Sequence, residues 1–319
     1  MTEKMQQTLI IPDDLGGMRL DQALAKILTD FSRTQIQEWI KNGEIDVDGK
    51  QLKARDPVMG GETITIHATI KQQPVWEAQP IELNIVYEDE SLLVINKPAG
   101  MVVHPAAGNF ENTLLNALLH YIPDLQQLPR AGIIHRIDKN TSGLLVIAKT
   151  NSALKNLIQQ LKERTVSRIY QAIICGVLIG GGSIDQPIGR HPLQRKRMAV
   201  IETGKTAITH YRLVEKYRAY TRVKVQLETG RTHQIRVHFA HIHHPLLGDQ
   251  TYGKRLQLPK GATPELITQL RQFKRQALHA SELGLIHPET QETMTWQAPL
   301  PEDMQQLISA LKNDYQLGK

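Results

Sequence analysis

Apolar positions along the first seventy residues change period. In "RLDQALAKIL", Leu20, Ala23, Leu24, Ile27 and Leu28 recur at helical spacing. "SRTQIQEWIKNG" does the same: Ser32 is placed to cap, Ile36, Trp39 and Ile40 share a face, and Gly43 suits the left-handed position after a helix end. "EIDVDGKQL" then alternates apolar with polar residues around Asp48-Gly49, a pair that favours a tight hairpin. Residues 1–70 are therefore expected to fold as a small unit of two short helices followed by strands. Residues 71–80 continue a polar stretch with two prolines and are expected to be a linker.

From residue 81 to 319 strand-like and helix-like segments alternate. Leu92, Leu93, Val94 and Ile95 predict a short buried strand, followed by a turn at Asn96–Gly100. "NTLLNALLHYI" and "SALKNLIQQLKER" have the stripe of amphipathic helices. "SRIYQAIICGVL", "AITHYRLVEKY" and "TRVKVQLETG" are strand-like, and "PEDMQQLISALKNDY" opens as a helix should, with Pro301 and acidic residues. The expected class is α+β with a mixed or antiparallel sheet.

Composition narrows the partners. The chain has 319 residues and a net charge of +6, which leans toward an anionic partner such as nucleic acid. The single cysteine, Cys175, allows no internal disulfide and fits a reducing compartment. No run of 18 apolar residues occurs and the N-terminus lacks an apolar signal core, so a cytoplasmic protein without membrane contact is expected.

Three stretches could carry chemistry. "IIHRIDKNTSGLLVIAKT" sets Asp138 among His135, Arg136 and Lys139 just before a buried run; by itself such an aspartate is a turn residue. "LETGRTHQIRVHFAHIHHPLLGD" passes from a strand through Gly230 to a helix that buries Ile235, Phe239 and Ile242. Thr232 is placed to cap that helix, and Arg231 stands beside its positive end, where an anion or the protein's own carboxylate would be held. "GRHPLQRKRMAV" concentrates Arg190, Arg195, Lys196 and Arg197 in one loop suited to a phosphate backbone. Arg19, Arg33 and Lys41 make the N-terminal unit basic as well. The histidines at 233, 238, 241, 243 and 244 lack a cysteine cluster or His-Glu-x-x-His pattern, so no metal is expected and a metal-dependent hydrolase is the remote alternative. "LIGGGSID" has no phosphate-loop continuation.

Taken together, "HRIDKNTSGLLVIAK", "RIYQAIICG" and "LETGRTHQIRVH" resemble, in order and spacing, the three signature regions of the RluA-type pseudouridine synthases. "YEDESLLVINKPAGMVVHP", "GRHP", "HPLLGDQTYG" and "RQALHA" extend the resemblance over nearly the whole chain, and the N-terminal unit resembles an S4 RNA-binding domain. Ile137 and Arg168 stand where many members have leucine and lysine. The resemblance implies a pseudouridine synthase domain with a central, mostly antiparallel sheet behind a small S4-like domain. It implies an isomerase that needs no cofactor and acts on large-subunit ribosomal RNA; the oligomeric state is not read from the sequence, and a monomer is expected. A narrower likeness implies clustered uridines of the helix 69 stem-loop. Asp138 would be the sole catalytic carboxylate, Arg231 its ion-pair partner, and Tyr170 the wall against the uracil, with a share in removing the proton from carbon 5. Arg136, with His135 beside it, would enter the RNA stem. Departure of the base through a ribosyl ester, a glycal or addition at carbon 6 stays open. So do a different rRNA or tRNA target and a catalytically idle ribosome-assembly factor.

Overall fold

The computed structural model describes residues 3–29, 31, 33–70, 76–105, 108–253 and 255–318. The chain divides into two compact units, Met1–Val75 and Trp76–Lys319. In the first, strand β1 (Glu3–Ile10) is followed by helices α1 (Leu20–Ile27) and α2 (Arg33–Asn42), then β2 (Ile45–Val47) and β3 (Thr63–Ile70). The antiparallel sheet runs β1-β3-β2. Leu20, Ala23 and Leu24 pack with Ile36, Trp39, Ile40 and the inward face of β3, Ile64 and Ile66. Gly43 ends α2 with φ +75°. Asp48 and Gly49 both have positive φ, 49° and 72°, as a two-residue hairpin turn requires. The hairpin stops at Lys50, however, and β2 pairs with the distant β3. Ser32, the expected cap, lies outside the described residues.

The second unit contains β4 (Ile85–Glu88), β5 (Leu92–Lys97), α3 (Leu114–Tyr121), β6 (Ser142–Ala148), α4 (Asn151–Glu163), β7 (Ser167–Cys175), β8 (Gly182–Asp185), β9 (Ile188–Arg190) and β10 (Met198–Val200). It continues through β11 (Ile208–Lys216), β12 (Tyr220–Leu227), α5 (Gln234–His241), α6 (Pro264–Gln272), β13 (Leu278–Ile286), β14 (Thr293–Gln297) and α7 (Glu302–Leu317). The main sheet has the order β4-β5-β6-β13-β7-β12-β11-β8, with β14 on β13. Its pairs are antiparallel except β6 with β13.

β5 and β6 are buried on both faces, which is why their sequences are continuous apolar runs. Leu93, Ile95, Leu145 and Ile147 join Val223, Val225 and Phe239 on one side. Leu92, Val94, Leu144 and Val146 meet Leu154 and Leu157 of α4 on the other. At the parallel join Gly143 pairs with Ala280. Its φ is +117°, and a Cβ there would sit 2.2 Å from the Ala280 carbonyl oxygen, so only glycine fits. β9 and β10 form a separate hairpin that carries the basic loop. Among the described residues no helix is long and apolar enough to cross a membrane.

Candidate active site

The loop before β6 holds Asp138 in a turn closed by the Thr141 N–H on the Asp138 carbonyl (3.0 Å). Lys97, the last residue of β5, is wholly buried next to this loop. Its Nζ donates to the carbonyls of Pro98 (2.8 Å), Met101 (2.9 Å) and Lys139 (3.1 Å), tying two loops together. Burial pulls this amine down to about 7, against the opposing charge of Asp138. Arg275 Nη1 reaches the Asn140 carbonyl from the far side, at 3.3 Å.

The partner of Asp138 is Arg236, not Arg231. Arg236 Nη1 donates to Asp138 Oδ2 at 2.8 Å. Its other edge grips Asp249 through Nε (2.7 Å) and Nη2 (2.9 Å), and Asp249 also accepts the N–H groups of Thr251 and Tyr252. Burial disfavours the charge on Arg236, but the two carboxylates outweigh it and raise its pKa. Arg231 lies in the turn before α5, where its Nε donates to the Thr206 carbonyl at 2.9 Å. The turn explains the difference. The Gln234 Oε1 accepts the Arg231 N–H (2.9 Å) and the Thr229 hydroxyl (2.8 Å), which fixes the Arg231 backbone. Nor does Thr232 cap the helix: α5 starts after His233, which has φ 57°, and the Thr232 hydroxyl accepts from Arg136 Nη2 at 3.3 Å. A sequence signal for Arg236 exists. It sits between Ile235 and Val237 on a helix buried almost all round, where an arginine requires a carboxylate.

The second oxygen of Asp138, Oδ1, faces His233 Nε2 at 3.8 Å. The other ring nitrogen, Nδ1, meets the Tyr252 hydroxyl at 2.7 Å, and that hydroxyl accepts the Met198 N–H at 2.9 Å. Tyr252 also lies beneath two guanidiniums, Arg236 at 5.0 Å and Arg197 at 5.2 Å. The base of the basic hairpin is thereby joined to the group that holds Asp138.

Asp138 opens onto a cleft of about 540 Å³ whose lining includes Arg136, Arg168, Tyr170, Arg231, His233 and Arg236. Tyr170 stands on β7, paired with Val225 and Ala280. Burial raises its pKa, so the phenol keeps its proton at neutral pH. His135 accepts the Val146 N–H at Nε2 (3.2 Å), and burial holds the imidazole down to about 3. It is neutral, and its Nε2 is taken by the backbone, while the residue lines the cleft beside Arg136. Arg136 is exposed at the cleft.

Arg190, Arg195 and Lys196 are exposed on the β9–β10 hairpin, and Arg197 is half-buried at its base. In the first unit Lys41 is exposed. Arg19 and Arg33 both bind the fully buried carboxylate of Asp21, at 3.1 and 2.7 Å, and Gln37 donates to it as well. Burial opposes the charge on Asp21, yet these donors hold its pKa below the usual value. Two arginines sharing one aspartate leave a net charge of +1 there, less than the sequence suggested. Among the described residues no group of histidine, cysteine and carboxylate side chains could hold a metal ion. His238 is instead hydrogen-bonded to Thr209 (2.9 Å) and the Gln186 carbonyl (3.0 Å).

Residues 91–241 match the family model described as RNA pseudouridylate synthase, and residues 18–64 match the S4 domain. The chain is 53% identical over 314 residues to the ribosomal large subunit pseudouridine synthase D of Pseudomonas aeruginosa, covering 98% of both chains. It is 50% identical over 320 residues to the protein of that name from Escherichia coli O6:H1, covering 100% of this chain and 98% of the relative. Human RNA pseudouridylate synthase domain containing 1 superimposes with a TM-score of 0.53 at 25% identity, over 76% of this chain and 98% of the human one.

Proposed function

Because this chain belongs to the RNA pseudouridine synthase family, we propose that it converts uridines of large-subunit ribosomal RNA to pseudouridine, with Asp138 as the reacting carboxylate. The observation that carries the proposal is the Asp138–Arg236 ion pair, 2.8 Å long, at the wall of an open cleft that Tyr170 also lines. Isomerisation breaks the N1–C1′ bond, turns the base and rejoins it through carbon 5, so it needs neither a redox partner nor a group from outside.

Each side chain has a part that follows from its surroundings. Arg236 is anchored on Asp249 by two hydrogen bonds, so it fixes Asp138 without moving itself. It engages Oδ2 and leaves Oδ1 toward His233 and the cleft, free to meet the ribose. Tyr170 supplies an aromatic face for the detached base; such stacking contributes about 1–3 kcal/mol. A target inside a stem must be flipped out, and the exposed Arg136 at the cleft is placed to fill the gap. Relatives named for the large ribosomal subunit, the S4 match and the exposed cations of the hairpin support an rRNA partner. The narrowest form of the proposal takes the clustered uridines of helix 69 as targets, and a monomer in the cytoplasm as the working form.

The test is tritium release from carbon 5 of uracil in large-subunit RNA, with pseudouridine mapping in cells that lack the gene. Wild type releases label, Asp138→Ala does not although it still binds RNA, and pseudouridines vanish from helix 69. Release by the Ala variant at the wild-type rate would remove Asp138 from the reaction, and an unchanged map would remove the target.

A further inference from the structure

Among the described residues Arg168 is a buried cation with no anion. It stands on β7 two residues before Tyr170 and lines the same cleft, and only 8% of its surface is exposed. Among the described residues it forms no ion pair. Its one hydrogen bond is a long contact, 3.4 Å, from Nη2 to the Glu228 carbonyl, and Nε has no partner. The Glu228 carboxylate is taken by Arg164 and, at 3.3 Å, by His210. Nη1 lies against Gly230, where a Cβ would come within 2.6 Å. Its charge is felt by both Tyr170 and His135. Elsewhere in this unit the buried Arg236 is compensated by Asp138 and Asp249, and the half-buried Arg275 by Asp303. An uncompensated buried charge destabilises a fold, so its presence in a cleft points to an anion that arrives with the substrate or forms from it.

We propose that Arg168 is a further catalytic residue, whose guanidinium takes up the negative charge that uracil carries while it is detached from the ribose. The inference rests on Asp138 being the reacting carboxylate. When the N1–C1′ bond breaks, both electrons stay with N1, and the charge spreads over N1, O2 and O4 of the ring. Asp138 answers the electron deficiency at C1′, by bonding to it or by taking the C2′ proton. On rejoining, an electron pair of the ring forms the C5–C1′ bond, carbon 5 loses its proton and N1 gains one. Whatever Asp138 took is returned, and the product is an isomer. The uracil anion exists only between these events, and a fixed cation beside Tyr170 stabilises that interval rather than the bound uridine. Arginine suits the place because its planar fork meets a ring oxygen and nitrogen together and keeps its charge when buried.

The test compares single-turnover conversion by the full chain at saturating RNA with RNA affinity, for wild type, Arg168→Gln and Arg168→Lys. Loss of one preorganised donor to a developing anion predicts a rate about 10²–10³-fold lower for the Gln variant, with the Kd for RNA within about threefold. The Lys variant recovers much of the rate. A second substrate separates catalysis from folding. 5-Fluorouridine has no proton on carbon 5 to release, so its reaction is read as disappearance of the N1-linked nucleotide; fluorine stabilises the departing anion by itself, and the Gln variant should lose about tenfold less in that rate than in conversion of uridine RNA. Equal losses on both RNAs, or a Gln variant as fast as wild type, would overturn the assignment. Absence of conversion by wild type would instead strike the reading of Asp138.

Discussion

At the level of single residues, the site depends on how each buried charge is compensated. Asp249 has a side chain with no exposed surface, and Arg236 joins it to Asp138. Replacing Arg236 by leucine leaves both carboxylates without their cation. That should cost about 3–5 kcal/mol of stability and abolish turnover. Arg231→Leu removes only a hydrogen bond to the Thr206 carbonyl, so its stability should change by less than about 1.5 kcal/mol. Urea unfolding midpoints of the two variants, measured beside tritium release, check the contrast; equal effects would remove the distinction drawn between the two arginines. The two arginines stand five positions apart in one motif, and both were plausible on charge alone. What separates them is direction. Arg236 points from the first turn of a buried helix toward the loop of Asp138, while the Arg231 backbone is turned by its bond to Gln234.

At the level of elements, the β9–β10 hairpin is the part of the second unit where charge and attachment coincide. Arg190, Arg195 and Lys196 are exposed, and the Met198 N–H fastens the base of the hairpin to Tyr252, which touches Arg236 and His233. Arg195→Ala combined with Lys196→Ala should weaken RNA binding evenly across sequences and lower the salt dependence of binding by about two phosphate contacts, a slope change near 1.8. Single-turnover conversion at saturating RNA should stay within about twofold, because neither side chain lines the cleft. Filter binding over a salt series reads both numbers, and an unchanged slope would show that the hairpin does not meet the phosphates. The basic run was evident from composition. Its link to the Asp138 carboxylate was not, since it passes through a tyrosine some fifty residues further along the chain.

At the level of the molecule, the division into Met1–Val75 and Trp76–Lys319 makes a separable prediction. The main sheet, the cores packed on it and every cleft residue belong to the second unit. Residues 76–319 alone should unfold cooperatively, bind RNA about ten times more weakly for want of the S4 cations, and convert uridine at the full single-turnover rate once saturated. Denaturation curves and a titration of rate against enzyme concentration check this; loss of the saturated rate would give the first unit a share in the chemistry. The sequence by itself determined the local periods: the helices of the first unit, the buried runs of β5 and β6, the left-handed Gly43, and the segments that carry Asp138, Tyr170 and the basic hairpin. These follow from neighbours a few residues apart, where alternation and turn chemistry decide. Only the tertiary structure decided that β2 pairs with β3, that β13 returns to lie between β6 and β7, that Arg236 meets Asp138, and that Arg168 is left without an anion among the described residues. Each of those is a contact between residues far apart in the chain, set by which buried surfaces and charges can be satisfied together, and no local pattern records it.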